Sequence, residues 1–279
     1  MKPNFIGIGG QRCGTTWLSS CLRDHPEVCN SKRKEEHFFD HYYHKGYESY
    51  ERSFESCSGS KVVGEFSTSY LYDYNAPKRV YRYNPDMKII VCLRNPIERA
   101  YSQHLWHISL GYVSGKNLQF ENALENNPMY IEQGLYYEHL KAWSGYFPLS
   151  SRLLVLIFEE MLRDPLPSIQ SVYRFLEIDP CFIPDNVNRR INKAVLPKSR
   201  KLERLIHGSQ ILRTIGVGYL IDFAKSVGIK KAIQHLNYKD LPNVCELNNQ
   251  TRKKLQKIFC DDNRELANLL NKDLSSWNE

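Results

Sequence analysis

Two glycines, an arginine and a pair of threonines near the start of the chain are residue types that bind phosphate. Residues 9–16 read G-G-Q-R-C-G-T-T, a G-x-x-x-x-G spacing followed by two hydroxyl residues. They follow an apolar run at 4–8 and lead into a helical pattern at 15–23. Glycines let backbone N–H groups approach an anion, and a helix amino terminus adds a positive dipole. The sequence therefore predicts a phosphate-binding loop between a strand and a helix.

The cation of this loop does not stand where a nucleoside triphosphate would need it. A triphosphate loop carries a lysine directly after its second glycine, where it reaches the β- and γ-phosphates. Here that position is Thr15, and the cation is Arg12, two residues before Gly14. We therefore expect an anion shorter than a triphosphate. A glycine-rich turn with structural threonine caps is the alternative interpretation.

A second candidate anion site follows a strongly apolar run at residues 87–93. Residues 93–102 read L-R-N-P-I-E-R-A-Y-S, so Arg94 comes directly after a strand that should be buried on both faces. In α/β folds, ligands bind at this end of the strands. Pro96 should begin a helix whose first turns carry Arg99 and Ser102, and guanidinium and hydroxyl groups could converge on one anion. A plain helix start with a surface salt bridge is the alternative.

The elements that must position these side chains alternate between strand and helix. Strand candidates are residues 4–8, 61–65, 87–93 and 152–158. Helical patterns cover residues 15–23, 76–83, 96–110, 120–125, 131–146 and 167–176. This alternation predicts a three-layer α/β/α fold with a central parallel sheet. The C-terminal third reads as largely helical, with residues 251–270 as its clearest amphipathic element, and we expect a single domain over 1–279.

Composition excludes several classes of protein. The chain has 279 residues, a formal charge of +7 and 42% hydrophobic residues, which is ordinary globular composition. No apolar run approaches the roughly 20 residues of a membrane-spanning helix, and from the first residues we expect no cleaved signal peptide. The positive charge forms no dense Lys/Arg block, so we expect an anionic ligand and no nucleic acid. The eight cysteines form no C-x-x-C pair, which favours buried reduced thiols, no structural zinc and a cytoplasmic protein.

Residues 12–18 (R-C-G-T-T-W-L) and 93–102 resemble two signatures of the sulfotransferases that use 3′-phosphoadenosine 5′-phosphosulfate. The first signature, K-x-G-T-T-x-L, binds the 5′-phosphosulfate, and here Arg12 replaces its lysine. The second, L-R-[ND]-P-x-x-R-x-x-S, binds the 3′-phosphate and is matched at every defined position. The resemblance implies a P-loop-like sulfotransferase fold and a reaction that needs no metal. It implies that the cofactor contacts Arg12, Cys13, Gly14, Thr15, Thr16, Trp17, Arg94 and Ser102, with a late basic segment at Lys198, Ser199 and Arg200 as a further contact.

Residues 34–40 (K-E-E-H-F-F-D) resemble the K-E-x-H-F-F segment of the heparan-sulfate type of these enzymes, whose glutamate is the general base. That glutamate corresponds to Glu35, and His37 is the competing base because imidazole has the more suitable unperturbed pKa. Residues 64–70 resemble the G-E-K-[ST]-P-x-Y segment beside the acceptor, but Phe66 replaces the lysine and Thr68 the proline. That departure argues against a heavily sulfated acceptor. The implied acceptor-side residues are Glu36, Phe38, Phe66, Ser67, Tyr70 and Tyr136.

The resemblance therefore implies in-line transfer of a sulfuryl group to a hydroxyl or an amine, leaving 3′-phosphoadenosine 5′-phosphate. The acceptor is expected to be a carbohydrate or a small polar metabolite. Two alternatives stay open at this point. A kinase-like phosphoryl-transfer enzyme would share the loop, and a non-catalytic nucleotide-binding module would share the anion sites without using Glu35. The sequence leaves the oligomeric state open.

Overall fold

Five parallel strands form the central sheet of the computed structural model, which describes residues 1–189, 195–197, 238–240 and 247–279. The strands are β1 (Phe5–Gly9), β2 (Val28–Asn30), β3 (Val62–Phe66), β4 (Lys88–Leu93) and β5 (Leu153–Ile157). They lie in the order β2-β3-β1-β4-β5, and Ile6 of β1 lies opposite Glu65 of β3 and Ile89 of β4. Because β1 pairs with a strand on each side, its carboxyl end lies where open α/β sheets bind ligands.

Helices connect the strands. In chain order they are α1 (Thr15–Asp24), α2 (Tyr47–Glu51), α3 (Ala76–Tyr83), α4 (Pro96–Ser109), α5 (Phe120–Asn126), α6 (Met129–Glu132), α7 (Tyr136–Ser144), α8 (Phe158–Arg163), α9 (Pro165–Leu176) and α10 (Asn249–Leu270). Between β2 and β3 the chain forms a π-helical turn, Phe38–Tyr42, and short 3₁₀ segments. None of the described helices is long and apolar enough to cross a membrane.

Apolar side chains bury both faces of the sheet. Ile6, Ile8 and Ile89 belong to a cluster that includes side chains of α3 and α7. Phe5 and Ile90 belong to a second cluster with side chains of α1 and α9. Neighbouring residues of a strand point to opposite faces, so these two clusters lie on opposite sides of the sheet. The α/β fold with a central parallel sheet that the sequence predicts is confirmed.

The structure differs from the sequence prediction in several places, and it adds the short helices α2 and α8. It adds β2, which has three residues of which only Val28 is fully buried, so the sequence carries little strand signal there. It also divides the predicted helix 131–146 into α6 and α7. The division lies at Gly134, where a Cβ atom would come within 2.8 Å of the Phe259 ring, so the chain is packed too tightly for a side chain at that point.

The chain divides into two compact units. The first comprises Met1–Arg99, Glu132–Asn192 and Lys254–Glu279, and it holds the five-stranded sheet. The second comprises Ala100–Ile131 and Lys193–Lys253. It contains two antiparallel strands, β6 (Val195–Pro197) and β7 (Tyr238–Asp240). The expectation of a single domain over 1–279 stays a prediction.

Two of the eight cysteines form a disulfide. Cys29 on β2 is bonded to Cys57 at the end of a 3₁₀ segment, with their Cα atoms 5.5 Å apart. The expectation of reduced thiols is therefore wrong for this pair, because β2, which the sequence pattern did not reveal, brings Cys29 beside Cys57. Cys13, Cys21 and Cys92 are free and buried, as expected.

A buried carboxyl group joins the sheet to the π-helical turn. Glu65 of β3 is 1% exposed and accepts hydrogen bonds from Ser67 Oγ and Tyr70 OH, each at 2.7 Å. Ser67 Oγ in turn accepts from the backbone N–H of His37 at 3.0 Å, and Tyr70 OH accepts from that of Phe38 at 2.7 Å. Burial raises the pKa of Glu65 to about 7. This carboxyl therefore holds the backbone of the turn through two hydroxyl groups.

We predict that Glu65 makes the free energy of unfolding depend on pH. Its pKa rises from an ordinary 4.5 to about 7 on folding, so the folded state binds more protons between these values. The stabilising contribution is complete below the lower pKa and is lost as pH rises through the upper one, at a cost of about 3 kcal/mol. Glu65→Gln, which resembles the protonated carboxyl, should remove this component.

Urea unfolding between about pH 5 and pH 7.5 measures the effect. The difference in the free energy of unfolding between Glu65→Gln and wild type should change steadily across this range. Glu48→Gln, a substitution at an exposed glutamate of α2, serves as the control and should run parallel to wild type. Parallel profiles for Glu65→Gln and wild type would contradict the prediction.

Candidate functional site

The predicted phosphate loop connects β1 to α1 at the carboxyl edge of the sheet. The backbone N–H of Gly10 donates to the Cys92 carbonyl of β4 at 2.6 Å. Arg12 and Gly14 have φ angles of 65° and 88°, and a Cβ at Gly14 would lie 2.9 Å from the Phe158 ring. Both conformation and space therefore favour glycine at the residue that precedes α1. The first N–H groups of α1 have no partners within the helix, which leaves them available to an anion.

Two guanidinium groups lie at this edge. Arg94, directly after β4, donates from Nη1 to the Arg12 carbonyl at 3.3 Å. Its guanidinium also lies 4.7 Å from the centre of the Phe158 ring and 4.0 Å from a Glu98 oxygen. Burial, and then repulsion from Arg94, lowers the pKa of Arg12. Two like charges in a partly buried place repel each other, so the arrangement is favourable for an anion that contacts both.

Buried side chains pack against the phosphate loop. The Cys13 thiol is 0% exposed and lies 3.8 Å from Tyr136 OH, which donates to the Arg94 carbonyl at 3.0 Å. Burial raises the pKa of Cys13 to about 11, against the opposing charge of Arg99. Cys13 is therefore a neutral packing residue, and Tyr136 holds the backbone that carries Arg94.

The remaining residues predicted to bind the cofactor lie in different surroundings. Arg99, which the sequence pattern directed toward the anion, is 0% exposed and donates to Gln133 Oε1 at 3.3 Å. The Trp17 indole nitrogen donates to the Val187 carbonyl at 2.9 Å, so its polar atom serves an internal contact. Ser102 lies on α4 in the second unit. Lys198, Ser199 and Arg200 lie outside the described residues.

The Glu35 carboxylate lies beside the end of β3. It accepts from the Thr68 backbone N–H at 2.7 Å and from Thr68 Oγ1 at 3.2 Å. His37 Nε2 lies 4.0 Å from the same carboxylate. Glu35 and His37 both have left-handed backbones, with φ angles of 67° and 53°. The structure thus brings together the two residues that the sequence left as competing bases, and the Glu35 side chain retains 28% exposure.

Lys34 connects this carboxylate to the phosphate loop. Its Nζ donates to Thr16 Oγ1 at 2.9 Å and lies 3.6 Å from Glu35 Oε1. Burial lowers the pKa of Lys34. Sequence reasoning missed this residue, because neighbours along an extended chain usually point to opposite sides. Only the left-handed backbone of Glu35 brings the two charged groups of these neighbours together.

The acceptor-side residues are mostly interior. Phe38, Phe66, Ser67, Tyr70 and Tyr136 are each 0–3% exposed. Phe66 packs edge-on against Phe5, and the hydroxyls of Ser67 and Tyr70 are hydrogen-bonded to Glu65. Glu36 is half-buried. Of these six residues, Glu36 is therefore the one that is not fully buried, and its Oε2 accepts a hydrogen bond from Ser53 Oγ at 3.0 Å.

Comparison with known proteins shows which family the chain resembles. A family model described as the sulfotransferase domain matches residues 2–243. Heparan sulfate glucosamine 3-O-sulfotransferase 6 of Homo sapiens is 34% identical over 179 residues, which cover 62% of this chain and 52% of the relative. Membrane-associated sulfotransferase kil1 of Dictyostelium discoideum is 36% identical over 128 residues, which cover 44% and 27%. The chain spans about half the length of the heparan sulfate 3-O-sulfotransferases it matches.

A solved structure shows the same fold. The sulfotransferase from Alicyclobacillus acidocaldarius superposes with a TM-score of 0.72 at 23% identity, covering 100% of both chains. At this identity the likeness concerns the fold alone. The sequence model of the sulfotransferase family, in contrast, matches residues 2–243, a range that includes the glycine loop and Arg94. The chain belongs to the sulfotransferase family.

Proposed function

We propose that this protein transfers a sulfuryl group from 3′-phosphoadenosine 5′-phosphosulfate to a hydroxyl of a carbohydrate acceptor. One observation carries the proposal: the side chain of Lys34 connects a donor-side anion site to a carboxylate. Arg12 and Arg94 define that anion site, and Glu35 provides the carboxylate. An anionic donor and a hydroxyl that must lose a proton need these two kinds of group next to each other.

The residues at the loop fit the donor. The glycine loop and the amino end of α1 suit a phosphate, and the Arg12–Arg94 pair supplies two positive charges within the same edge. We assign the 5′-phosphosulfate to Arg12, Gly14, Thr15 and Thr16, and the 3′-phosphate to Arg94. Cys13 and Trp17 support the loop by packing.

The proposed step is an in-line displacement at sulfur. The acceptor oxygen forms a bond to sulfur while the bond from sulfur to the phosphate oxygen of the donor breaks. The acceptor's proton passes to Glu35, and 3′-phosphoadenosine 5′-phosphate leaves with its new negative charge near Arg12. The step needs no metal. His37, 4.0 Å from Glu35, is the second candidate for the base.

The acceptor class rests on the relatives. Several of them are named as sulfotransferases of heparan sulfate glucosamine, which supports a glycan acceptor for this chain. Phe66 lies in the core, so its position provides no cation for a heavily sulfated chain. A less sulfated glycan therefore fits better, with a small polar metabolite or an amine acceptor as the alternative.

The two other functions considered from the sequence are not favoured. A phosphoryl-transfer enzyme lacks support because Thr15 stands where its lysine should be. A pure binding module would not need a carboxylate connected to the loop through Lys34.

The cellular location stays a proposal, and one observation opposes the cytoplasm expected from the sequence. Disulfides persist mainly in oxidising compartments, and Cys29 and Cys57 are bonded. We therefore propose that the protein functions in an oxidising compartment.

Calorimetry with 3′-phosphoadenosine 5′-phosphate and adenosine 5′-phosphate separates the two arginines. Each charge-assisted hydrogen bond contributes about 1.5–3 kcal/mol. Arg12→Ala and Arg94→Ala should therefore each bind 3′-phosphoadenosine 5′-phosphate about tenfold to a hundredfold more weakly than wild type. Arg12→Ala should weaken both nucleotides. Arg94→Ala should weaken only the one that carries a 3′-phosphate.

Arg23→Ala, at an exposed position in the last turn of α1, is the matched control and should bind like wild type. Equal losses for both nucleotides in Arg94→Ala would remove Arg94 from the 3′-phosphate site. Preferential binding of ATP with magnesium by wild type would contradict the donor assignment itself.

Glu35→Gln tests the base. Loss of a general base should lower kcat by about 10²–10⁴-fold, while the bisphosphate still binds as in wild type because the loop is unchanged. The assay follows release of 3′-phosphoadenosine 5′-phosphate in the presence of glucosamine-containing oligosaccharides. Glu48→Gln, at an exposed glutamate of α2, provides the control and should retain most of its turnover. Near-normal turnover in Glu35→Gln would shift the role to His37.

Lys34→Met tests the connection between loop and base. The substitution keeps the length of the side chain and removes the hydrogen bond to Thr16, so kcat should fall about tenfold or more, since a misplaced reacting group can cost about a hundredfold. Lys34→Arg should recover part of the loss. Lys32→Met, at an exposed position two residues earlier, should behave like wild type. Unchanged turnover in Lys34→Met would show that the contact is structural only.

A further inference from the structure

Three side chains with metal-binding atoms converge on one turn beside Glu35. His37, Asp40 and His41 each offer one such atom, and these atoms all lie within 4.8 Å of one another. We propose that they form a binding site for a first-row divalent transition metal ion, with zinc as the expected occupant. The bound ion plays no part in the sulfuryl transfer step itself.

The distances are close to those of a coordination sphere. His37 Nδ1 lies 3.3 Å and His41 Nδ1 3.0 Å from Asp40 Oδ2. In a tetrahedral zinc site with bonds of about 2.0–2.2 Å, ligand atoms are separated by about 3.3–3.5 Å. The two histidine nitrogens lie within 4.8 Å of each other, so the exposed His41 side chain would rotate toward His37 by about an ångström to admit an ion between the three atoms.

The backbone that carries these ligands is held in place. The π-helical turn closes through hydrogen bonds from the N–H groups of His41 and Tyr42 to the His37 carbonyl, at 3.1 and 2.9 Å. Arg79 Nη1 donates to the carbonyls of Phe39 and Asp40, at 2.6 and 3.2 Å. Ligands on a fixed backbone lose little conformational freedom on binding, which favours affinity.

Groups around the three ligands are those that support a metal site. Ser69 Oγ donates to Asp40 Oδ2, the oxygen that lies near both imidazoles, and is also 2.9 Å from His37 Nδ1. A metal ion would replace the hydrogen bond of His37 Nδ1. The other ring nitrogen of His37 faces the Glu35 carboxylate at 4.0 Å. Histidine ligands of metals characteristically direct their second nitrogen to a carboxylate, which orients the ring and strengthens the ligand. His37 therefore has a metal-facing nitrogen and a carboxylate-facing nitrogen.

The ligand set selects the class of ion. Two imidazole nitrogens and one carboxylate oxygen suit zinc, cobalt, nickel or copper, whereas magnesium and calcium prefer oxygen ligands alone. The Asp40 side chain is 3% exposed, while that of His41 is 66% exposed. The ion would therefore be anchored on a buried carboxylate and reached from solvent past His41, with water completing its coordination.

Occupancy of this site has a consequence for turnover that rests on the proposed function. An ion held by His37 would attract the neighbouring Glu35 carboxylate and restrict the space in which an acceptor hydroxyl must approach it. Zinc is therefore expected to inhibit the enzyme reversibly. Metal binding itself does not depend on the proposed reaction.

Cobalt is the spectroscopic probe for the test. The chelator-treated full chain is titrated with Co²⁺ at about pH 7.5, where free imidazole is neutral, and with Zn²⁺ by calorimetry. We expect one ion per chain with a visible d–d absorption of low coordination number. His41→Ala, at an exposed position, should weaken binding at least tenfold. His44→Ala, at another exposed histidine three residues further on, should bind like wild type.

Three results would overturn the site. They are absence of the d–d band in wild type at submillimolar cobalt, equal binding by His41→Ala and wild type, and a thiolate charge-transfer band, which would place the ion on an exposed cysteine such as Cys181 or Cys260. Asp40→Asn provides a second ligand variant and should also bind more weakly. Its near-ultraviolet circular dichroism must match that of wild type, and wild-type affinity in a folded Asp40→Asn protein would also overturn the site.

The inhibitory role has its own readout. Added zinc should lower turnover in wild type and in His44→Ala, and chelator should restore it, whereas the turnover of His41→Ala should respond at least tenfold less to zinc. A protein that binds cobalt through His41 but keeps full turnover in zinc would overturn the inhibitory role. Because cobalt binding is measured without any substrate, failure of the metal site and failure of the proposed reaction give different results.

Discussion

The parallel pairing of β1 with both β3 and β4 is the constraint on which the candidate site depends. It brings the carboxyl ends of three strands to one edge. The phosphate loop follows β1, Arg94 follows β4, and Thr68, which binds the Glu35 carboxylate, follows β3. A different strand order would separate the anion site from the candidate base. The sheet therefore positions groups that are up to about 80 residues apart in the chain.

The acid–base side depends further on one buried carboxyl group. Residues 35–37 have little regular structure of their own, and two of them have left-handed backbones. Their position comes from Glu65, whose hydrogen bonds pass through Ser67 and Tyr70 to the backbone of the turn. Burying a carboxyl group is costly unless its oxygens are hydrogen-bonded. Here the same hydrogen bonds that satisfy Glu65 also locate the residues proposed to carry the chemistry.

Positive and negative side chains lie in different parts of the candidate site. Positive groups lie at the loop and at the end of β4, negative groups lie at the end of β3 and in the π-helical turn, and Lys34 lies between them. The partly buried Lys34 orders the Glu35 carboxylate beside it. Because Lys34 lies between this carboxylate and Thr16 of the loop, the carboxylate does not contact the anion site directly. Asp40 extends the negative side, and together with His37 and His41 it forms a cluster beside Glu35.

Sequence by itself determined the features that depend on local order. The loop, the long strands, Arg94 at a strand end and Pro96 at a helix start all follow from composition and spacing over ten or fewer residues. Tertiary structure decided which side chains are reachable. It placed Phe66, Tyr70 and Tyr136 in the interior, turned Lys34 toward Thr16 and paired Cys29 with Cys57. These outcomes depend on the order of strands and on left-handed residues such as Glu35, because contacts between distant segments leave no periodic signal in the chain.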